Sequence, residues 1–223
     1  MQLKQEIENS QLIEQQRLLE QERSRVAHDL HDEFGAKLAE VGILGSLANN
    51  PEISREKQAG YLDRLAELAR LLVSGLDEIV WAVNPKHDSN EAVSNYLCDY
   101  AQEFLHSADI PYRIDVQPLP DRTFTAQERH QLFLAFKEAL TNVVKHAHAT
   151  EVIVRIGGNH QSLWVIVEDN GKGLNPGRPS GDGLANMSNR MRQIGGESEV
   201  KGRPDGGTAV TLRVFTNHRS GKV

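Results

Sequence analysis

Apolar residues recur at steps of three and four between Val26 and Ala48, a spacing that places them on one face of a helix. Asn49-Asn50-Pro51 follows this stripe and is typical of a helix end. Before Val26 the chain is rich in Gln, Glu and Arg, and its few apolar residues at heptad spacing alternate with polar ones. The pattern predicts a helix over about residues 1–49, whose first half is either a weak zipper or a solvated charged helix.

A second apolar seam follows at the same spacing. Its members are Leu62, Leu65, Ala69, Leu72, Leu76, Ile79 and Val83. It predicts a helix from about Ser54 to Val83, with Ser54 as its cap and Lys57 where a capping box would have Glu. Because a lone helical hairpin buries little apolar surface, the prediction is a hairpin that dimerises into a four-helix bundle.

From Asn84 to Asp88 the helical pattern stops, and shorter elements of both kinds follow. The predicted helices cover about 91–108, 126–148 and 184–194, and the predicted strands cover 112–116, 151–157, 162–169, 197–201 and 208–215. This order predicts an α+β two-layer sandwich with helices on one face of a mixed sheet. The expected domain boundaries are 1–24, 25–86, 87–217 and a tail at 218–223.

Composition narrows the range of partners. The net charge of −6 over 223 residues argues against nucleic-acid binding, which usually needs a basic excess. Cys98 is the single cysteine, so an internal disulfide is excluded and a packing role is expected for this thiol. No apolar run approaches the ~20 residues that span a bilayer, and the first residues lack a secretory pattern. These features predict a cytoplasmic chain without membrane contact of its own, and they are compatible with a longer parent protein anchored in the inner membrane.

One face of the helix predicted at 126–148 carries candidate ligands. Glu138, Asn142 and Lys145 form a narrow polar stripe opposite the apolar face. A carboxylate and an amide one turn apart suit a hydrated Mg²⁺, and a lysine can hold a phosphate as a point charge. The alternative is a solvated helix face with ordinary contacts between neighbouring turns.

Three glycine-containing segments follow. Asp169-Asn170-Gly171-Lys172-Gly173 ends a predicted strand, where glycine permits close approach of a ligand. Ser180-Gly181-Asp182-Gly183-Leu184 precedes a helix, whose first N–H groups can bind phosphate. Asp205-Gly206-Gly207-Thr208 opens the last strand. Taken singly, each segment is equally explained as a loop or a hairpin turn.

Their joint order resembles the N, G1 and G2 boxes of the ATP-binding superfamily shared by gyrase, mismatch-repair ATPases, certain chaperones and histidine kinases. The resemblance covers about residues 91–215. It implies that Asn142 binds Mg²⁺ with support from Glu138, and that Asp169 accepts a hydrogen bond from the exocyclic amine of adenine. It further implies a set of pocket and lid residues: Gly171, Gly173, Gly181, Gly183 and Leu184, with Thr208 behind the adenine and His146 at a phosphate or the lid.

A second resemblance concerns the first helix. Residues 22–35, with His28-Asp29-Leu30-His31-Asp32 at their centre, resemble the phospho-acceptor box of sensor histidine kinases with a short dimerisation hairpin. Residues 79–85 resemble the end of that hairpin. The resemblance implies that His31, not His28, accepts the phosphoryl group, with Asp32 and Glu138 as its catalytic partners. It divides the chain into a signalling helix (1–24), a phosphotransfer hairpin (25–86) and an ATP-binding domain (87–217).

Elementary chemistry is compatible with that role. A neutral imidazole is well populated near pH 7, and the carboxylate of Asp32 can orient it and take up its proton. The expected reaction is Mg-ATP-dependent phosphorylation of His31 in a homodimer, followed by transfer to an aspartate of a separate response regulator. An upstream sensor domain is expected in the full-length protein.

One position departs from the second pattern. Relatives with strong phosphatase activity have Gln where this chain has Ala36, which predicts weak phosphatase activity. Two alternatives stay open, an ATPase that only changes conformation and a dimerisation module without catalysis.

Overall fold

The computed structural model describes residues 13, 17, 35–119, 121–174 and 182–215. The chain divides into two compact units, residues 1–84 and 85–223. This division lies two residues before the boundary that the sequence predicts, within the same proline-containing segment. Within the described residues, none of the helices is both long enough and apolar enough to cross a membrane.

The first unit contains a helical hairpin. Helix α1 is described over residues 35–48, and helix α2 spans Arg55–Val83. In the turn between them, Gln58 Nε2 donates to the Asn50 carbonyl at 2.8 Å, and the Glu52 N–H donates to Asn50 Oδ1 at 2.9 Å. The predicted helix end at residues 49–51 is therefore observed, whereas the predicted signalling helix at 1–24 lies almost entirely outside the described residues.

Ser54 occupies the N-cap position of α2 with an extended backbone, but its side chain makes no capping hydrogen bond. The prediction that Ser54 caps this helix is therefore wrong. Lys57, at the third helical position, has no carboxylate that could complete a reciprocal capping box. The contact between Gln58 and Asn50 holds the start of the helix instead.

The residues of the seam predicted along α2 do not share one face, because Leu65, Leu72 and Ile79 are covered whereas Leu62, Ala69 and Leu76 are exposed. With their neighbours, the apolar residues of this helix form two faces. Leu68 and Ile79 are buried and Leu65 and Leu72 are half-buried, and these four residues lie on one side of the helix. A second set, here named the exposed α2 stripe, has exposed fractions between 54% and 63% and consists of Leu62, Val73, Leu76 and Val80. At ~100° per residue, the two faces are centred about 90° apart on the helix.

The second unit begins with a 3-10 turn at Pro85–His87. Its helices are α3 (Asn90–Ser107), α4 (Ala126–Asn142) and α5 (Asp182–Gln193). Its strands are β1 (Tyr112–Val116), β2 (Val152–Gly158), β3 (Ser162–Asp169), β4 (Glu197–Gly202) and β5 (Thr208–Phe215). The sheet order is β1-β2-β3-β5-β4, with β1 parallel to β2 and the other neighbours antiparallel.

The core of this unit lies between the sheet and its helices. Alternate residues of β2, β3 and β5 are buried, as expected when one sheet face is covered. Helix α3 contacts β1, α4 contacts β3 and β5, and α5 contacts β4 and β5. The predicted two-layer α+β sandwich is therefore confirmed. Each apolar side chain buried in this layer contributes about 1.5–3 kcal/mol to folding.

The helix predicted at 126–148 changes geometry near its end. The α-helix ends at Asn142, a π-helical turn follows at Val143–Ala147, and His148 adopts a left-handed conformation at φ 54°. The Ala147 carbonyl accepts a hydrogen bond from the Lys172 N–H at 2.9 Å. This bond joins the turn to the glycine loop after β3, a long-range contact that helical periodicity does not predict.

Candidate functional site

Helix α4 is held at both its start and its buried face. Thr125 Oγ1 accepts from the Glu128 N–H at 3.2 Å, and Glu128 Oε2 accepts from the Thr125 N–H at 2.9 Å, which completes a capping box. This capping box was not predicted, although Thr-x-x-Glu is a readable signal in the sequence. The predicted apolar face is buried, and this fixes the rotation of the helix.

Glu138 and Asn142 lie half-exposed on the opposite side of α4. Asn142 Nδ2 donates to Glu138 Oε1 at 3.2 Å, so the two side chains form a pair across one helical turn. The bond uses the nitrogen of the Asn142 amide and leaves its oxygen as the atom suited to a cation. Lys145 and His146 follow in the π-helical turn, where both side chains are exposed.

The donor set of this pair fits a Mg²⁺ ion. Mg²⁺ prefers hard oxygen ligands, keeps several waters and needs only one or two protein groups when it also binds phosphates. The Glu138 carboxylate and the Asn142 amide oxygen are such groups. Among the described residues, no cluster of three or more His, Cys, Asp and Glu side chains forms a metal cage, and a hydrated Mg²⁺ does not require one.

Asp169 ends β3 and is only 3% exposed. Its Oδ1 accepts from the Gly171 N–H at 2.8 Å, which fixes the carboxylate beside the glycine loop. Glu168 pairs with Ala209 across the sheet, so Asp169 and Thr208 are the next residues at the same end of β3 and β5. The sheet register thus brings together two predicted adenine contacts that are far apart in sequence.

Two glycines allow the loops around Asp169 to approach closely. A Cβ atom added to Gly171 would overlap the Ala147 carbonyl of the π-helical turn. A Cβ atom added to Gly207, which has φ 87°, would overlap the carbonyl of Asp169 itself. In both cases the obstacle is backbone that cannot rotate away, so only glycine fits.

The start of α5 lies against the polar stripe of α4. A Cβ atom added to Gly183 would overlap Glu138 Oε1 and would come within 3.8 Å of Asn142 Nδ2. Leu184 follows Gly183 and is half-exposed. Gly173 lies in the glycine loop after β3 and has φ 73°. Gly181 lies outside the described residues, as do His31 and Asp32.

Two further residues organise this site and were missed as candidates. Asn170 Oδ1 accepts from the N–H groups of Thr150 and Glu151, and its Nδ2 donates to Thr150 Oγ1 at 2.9 Å. Arg203 Nη1 donates to the Asp169 carbonyl at 2.9 Å from the turn between β4 and β5. Asn170 stands inside a glycine motif that the sequence singles out, whereas Arg203 carries no sequence signal.

Comparison with known proteins identifies the second unit. Residues 127–218 match the family described as histidine kinase-, DNA gyrase B-, and HSP90-like ATPase. An ATP-binding domain is therefore supported for this part of the chain. The match covers α4 apart from its first residue, the π-helical turn and all three glycine-containing segments.

The similarity to curated proteins extends over both units. The chain is 29% identical over 206 residues to the sensor histidine kinase DesK of Bacillus subtilis, with 89% of this chain and 52% of DesK covered. It is 26% identical over 200 residues to the sensor histidine kinase LiaS of the same organism, with 88% of this chain and 55% of LiaS covered. These similarities support a two-component sensor histidine kinase core. The chain spans about half the length of these two relatives.

A third relative is similar over most of the chain, and two solved structures share its fold. The nitrate/nitrite sensor protein NarX of Escherichia coli is 28% identical over 217 residues, which cover 92% of this chain and 35% of NarX. Full-length ShkA shares the fold with a TM-score of 0.54 at 20% identity, covering 86% of this chain and 46% of ShkA. The histidine kinase AdeS of Acinetobacter baumannii shares the fold with a TM-score of 0.50 at 15% identity, covering 85% of this chain and 98% of AdeS.

Proposed function

We propose that this chain transfers the γ-phosphoryl group of ATP to His31 and then to an aspartate of a separate response regulator. The proposal rests on one observation, which is that three segments far apart in sequence lie close together in the unit that matches the ATPase family. Gly183 at the start of α5 lies against the Glu138–Asn142 pair. The glycine loop after Asp169 reaches the π-helical turn that follows the same helix, where the Lys172 N–H donates to the Ala147 carbonyl at 2.9 Å. A shared nucleotide pocket would explain why these residue types occur in this order along the chain.

Each residue then has a role in nucleotide binding. Asp169 accepts the exocyclic amine of adenine, with Thr208 behind it. Glu138 and Asn142 hold Mg²⁺, which when bound neutralises charge on the phosphates. Lys145 and His146 are placed on the exposed π-helical turn to contact the phosphates, and Gly173, Gly181, Gly183 and Leu184 shape the lid.

At His31 a ring nitrogen attacks the γ-phosphorus in line with the departing oxygen of ADP. The N–P bond forms as the bond between the γ-phosphorus and the β,γ-bridging oxygen breaks, and the imidazole proton passes to Asp32. Phosphoryl transfer depends mainly on positioning and charge neutralisation. The phosphoryl group then leaves the imidazole for a carboxylate of the response regulator.

The decisive experiment incubates the protein with γ-labelled ATP and compares the wild type with His31→Gln and Asn142→Ala. We expect label on the wild type that is acid-labile and base-stable, and no label on either variant. Label that persists on His31→Gln would contradict the acceptor assignment. Release of free phosphate without labelled protein would favour a conformational ATPase, and the absence of ATP binding would favour a module without catalysis.

We also propose that the chain acts as a homodimer through its helical hairpin. The exposed α2 stripe supports this proposal, because its four residues recur at steps of 11, 3 and 4 along a helix whose other apolar face is already covered. Apolar residues at such spacing suit a helix–helix seam. A second copy would turn the hairpin into a four-helix bundle.

A further inference from the structure

We propose that Arg203 is a positioning residue that fixes Asp169 for recognition of adenine. The inference rests on the proposed function, because it assigns a task in nucleotide binding to a side chain outside the recognised motifs. Arg203 contacts the backbone of Asp169, and its task is therefore to hold the residue that binds the base.

Arg203 starts from a rigid turn. The Arg203 N–H donates to the Gly207 carbonyl at 3.0 Å, and the Gly206 N–H donates to the Arg203 carbonyl at 3.1 Å. Gly206 and Gly207 have φ values of 92° and 87°, in the region that favours glycine. The turn therefore fixes the position from which the Arg203 side chain extends.

The half-buried side chain of Arg203 then crosses to the end of β3. Its Nη1 donates to the Asp169 carbonyl at 2.9 Å across 34 sequence positions. A hydrogen bond from a charged donor is stronger than one between neutral groups. Gly207 packs against the same carbonyl so closely that a side chain there would overlap it.

Asp169 is thus held on both sides of its Cα atom. The guanidinium of Arg203 fixes its carbonyl, and the Gly171 N–H fixes its carboxylate at 2.8 Å. A buried carboxylate discriminates between bases through the direction of its hydrogen bond, and misplacing it weakens binding. Loss of the Arg203 contact allows the end of β3 to turn without removing any group that touches the nucleotide.

The test measures binding of ATP and of ITP, which has an oxygen in place of the exocyclic amine of adenine. Arg203→Met keeps most of the aliphatic stem of the side chain. In this variant we expect ATP affinity to fall about tenfold, because one charged hydrogen bond is lost. We expect ITP affinity to change less than twofold. Arg203→Lys keeps the charge but cannot reproduce the guanidinium geometry, and we expect an intermediate loss. Asp169→Asn should lose the preference for ATP entirely.

Arg213→Met is the matched control. Arg213 lies on the same hairpin in an exposed ion pair with Glu197 at 2.9 Å, and its replacement should leave both affinities unchanged. Equal losses for ATP and ITP in Arg203→Met, or an unchanged ATP affinity, would overturn the inference. Failure of the wild type to bind ATP would instead contradict the proposed function, so the two failures are distinguishable.

Discussion

At the scale of single residues, Asn170 shows why the glycine motif has an amide next to its aspartate. Its side chain accepts from two backbone N–H groups and donates to one hydroxyl, and these bonds tie the end of β3 to the segment before β2. That segment follows the π-helical turn directly. One amide therefore joins the expected adenine side of the pocket to the expected phosphate side.

Cys98 gives the first prediction. Burial raises the pKa of its thiol. We therefore expect slow alkylation at pH 7.5, with a rate that rises with pH, and faster alkylation once the protein is unfolded. Timed iodoacetamide labelling with mass spectrometry measures this, and Cys98→Ser supplies the unlabelled control.

The same shift links Cys98 to stability. The pKa of the Cys98 thiol is higher in the folded state than in the unfolded state. The stability that this thiol contributes is therefore complete below the unfolded pKa and is lost as the pH rises through the folded pKa. Native labelling as fast as that of the unfolded chain would contradict this account of a protected thiol.

At the scale of elements, the proposed nucleotide site depends on loops that approach α4 and the π-helical turn at two points. At Gly171 the obstacle to a larger residue is the backbone carbonyl of Ala147. At Gly183 the obstacle is the end of the Glu138 side chain, which can rotate. We therefore expect the two glycines to be required for different reasons, Gly171 for folding and Gly183 for the proposed metal ligands.

Alanine substitutions separate these reasons. We expect Gly171→Ala to destabilise the protein by about 1–3 kcal/mol, the usual cost of overpacking. We expect Gly183→Ala to change stability by less than about 0.5 kcal/mol but to displace Glu138 and weaken Mg-ATP binding severalfold. Thermal unfolding and nucleotide titration with Mg²⁺ measure the two effects.

Gly202→Ala is the control for both variants, because a Cβ atom there meets nothing within 4 Å. If Gly183→Ala bound Mg-ATP as tightly as the wild type, the contact between α5 and the Glu138–Asn142 pair would have no role in binding.

At the scale of the whole molecule, the exposed α2 stripe is apolar surface that a second copy of the chain can cover. Val73 is 60% exposed within this stripe, whereas Leu71 is 46% exposed on the opposite side of α2. At ~100° per residue, the two side chains point about 160° apart. They therefore offer a matched pair for testing which face carries the dimer.

We expect Val73→Asp to weaken the dimer by at least about tenfold in dissociation constant, since a charge would be buried in the seam. Leu71→Asp introduces the same side chain on the other face and should leave the dimer intact. Analytical ultracentrifugation measures both. An equal effect of the two substitutions would assign the dimer contact to another surface.

The proposed signalling cycle also includes removal of the phosphoryl group from the response regulator. Ala36, exposed on α1, stands where relatives with strong phosphatase activity have Gln. We expect the wild type to dephosphorylate its response regulator slowly and Ala36→Gln to do so faster, because an amide can hold the attacking water. A time course of phosphate loss from the loaded regulator measures both rates.

Ala39→Gln is the matched control for this prediction. Ala39 is also an exposed alanine of α1, and three residues of helix move the new amide by ~4.5 Å along the axis. This variant should dephosphorylate the regulator as slowly as the wild type. Rapid dephosphorylation by the wild type would refute the prediction.

The sequence by itself determined the elements of this protein and their order. Strands β1, β3 and β5 have the bounds that alternation of apolar residues predicts, and the buried face of α4 follows from helical spacing. These features depend on neighbours within a few residues, so local periodicity is sufficient to find them. The glycine motifs were also visible, because they mark backbone geometries that other residues rarely adopt.

Only the tertiary structure decided which distant groups meet. The bond from Arg203 to Asp169 joins residues 34 positions apart, and it depends on the placement of β5 beside β3. The division of the α2 seam into a covered and an exposed face depends on how the hairpin packs. No local pattern encodes such contacts, because they arise from sheet order and helix rotation, which the whole chain sets together.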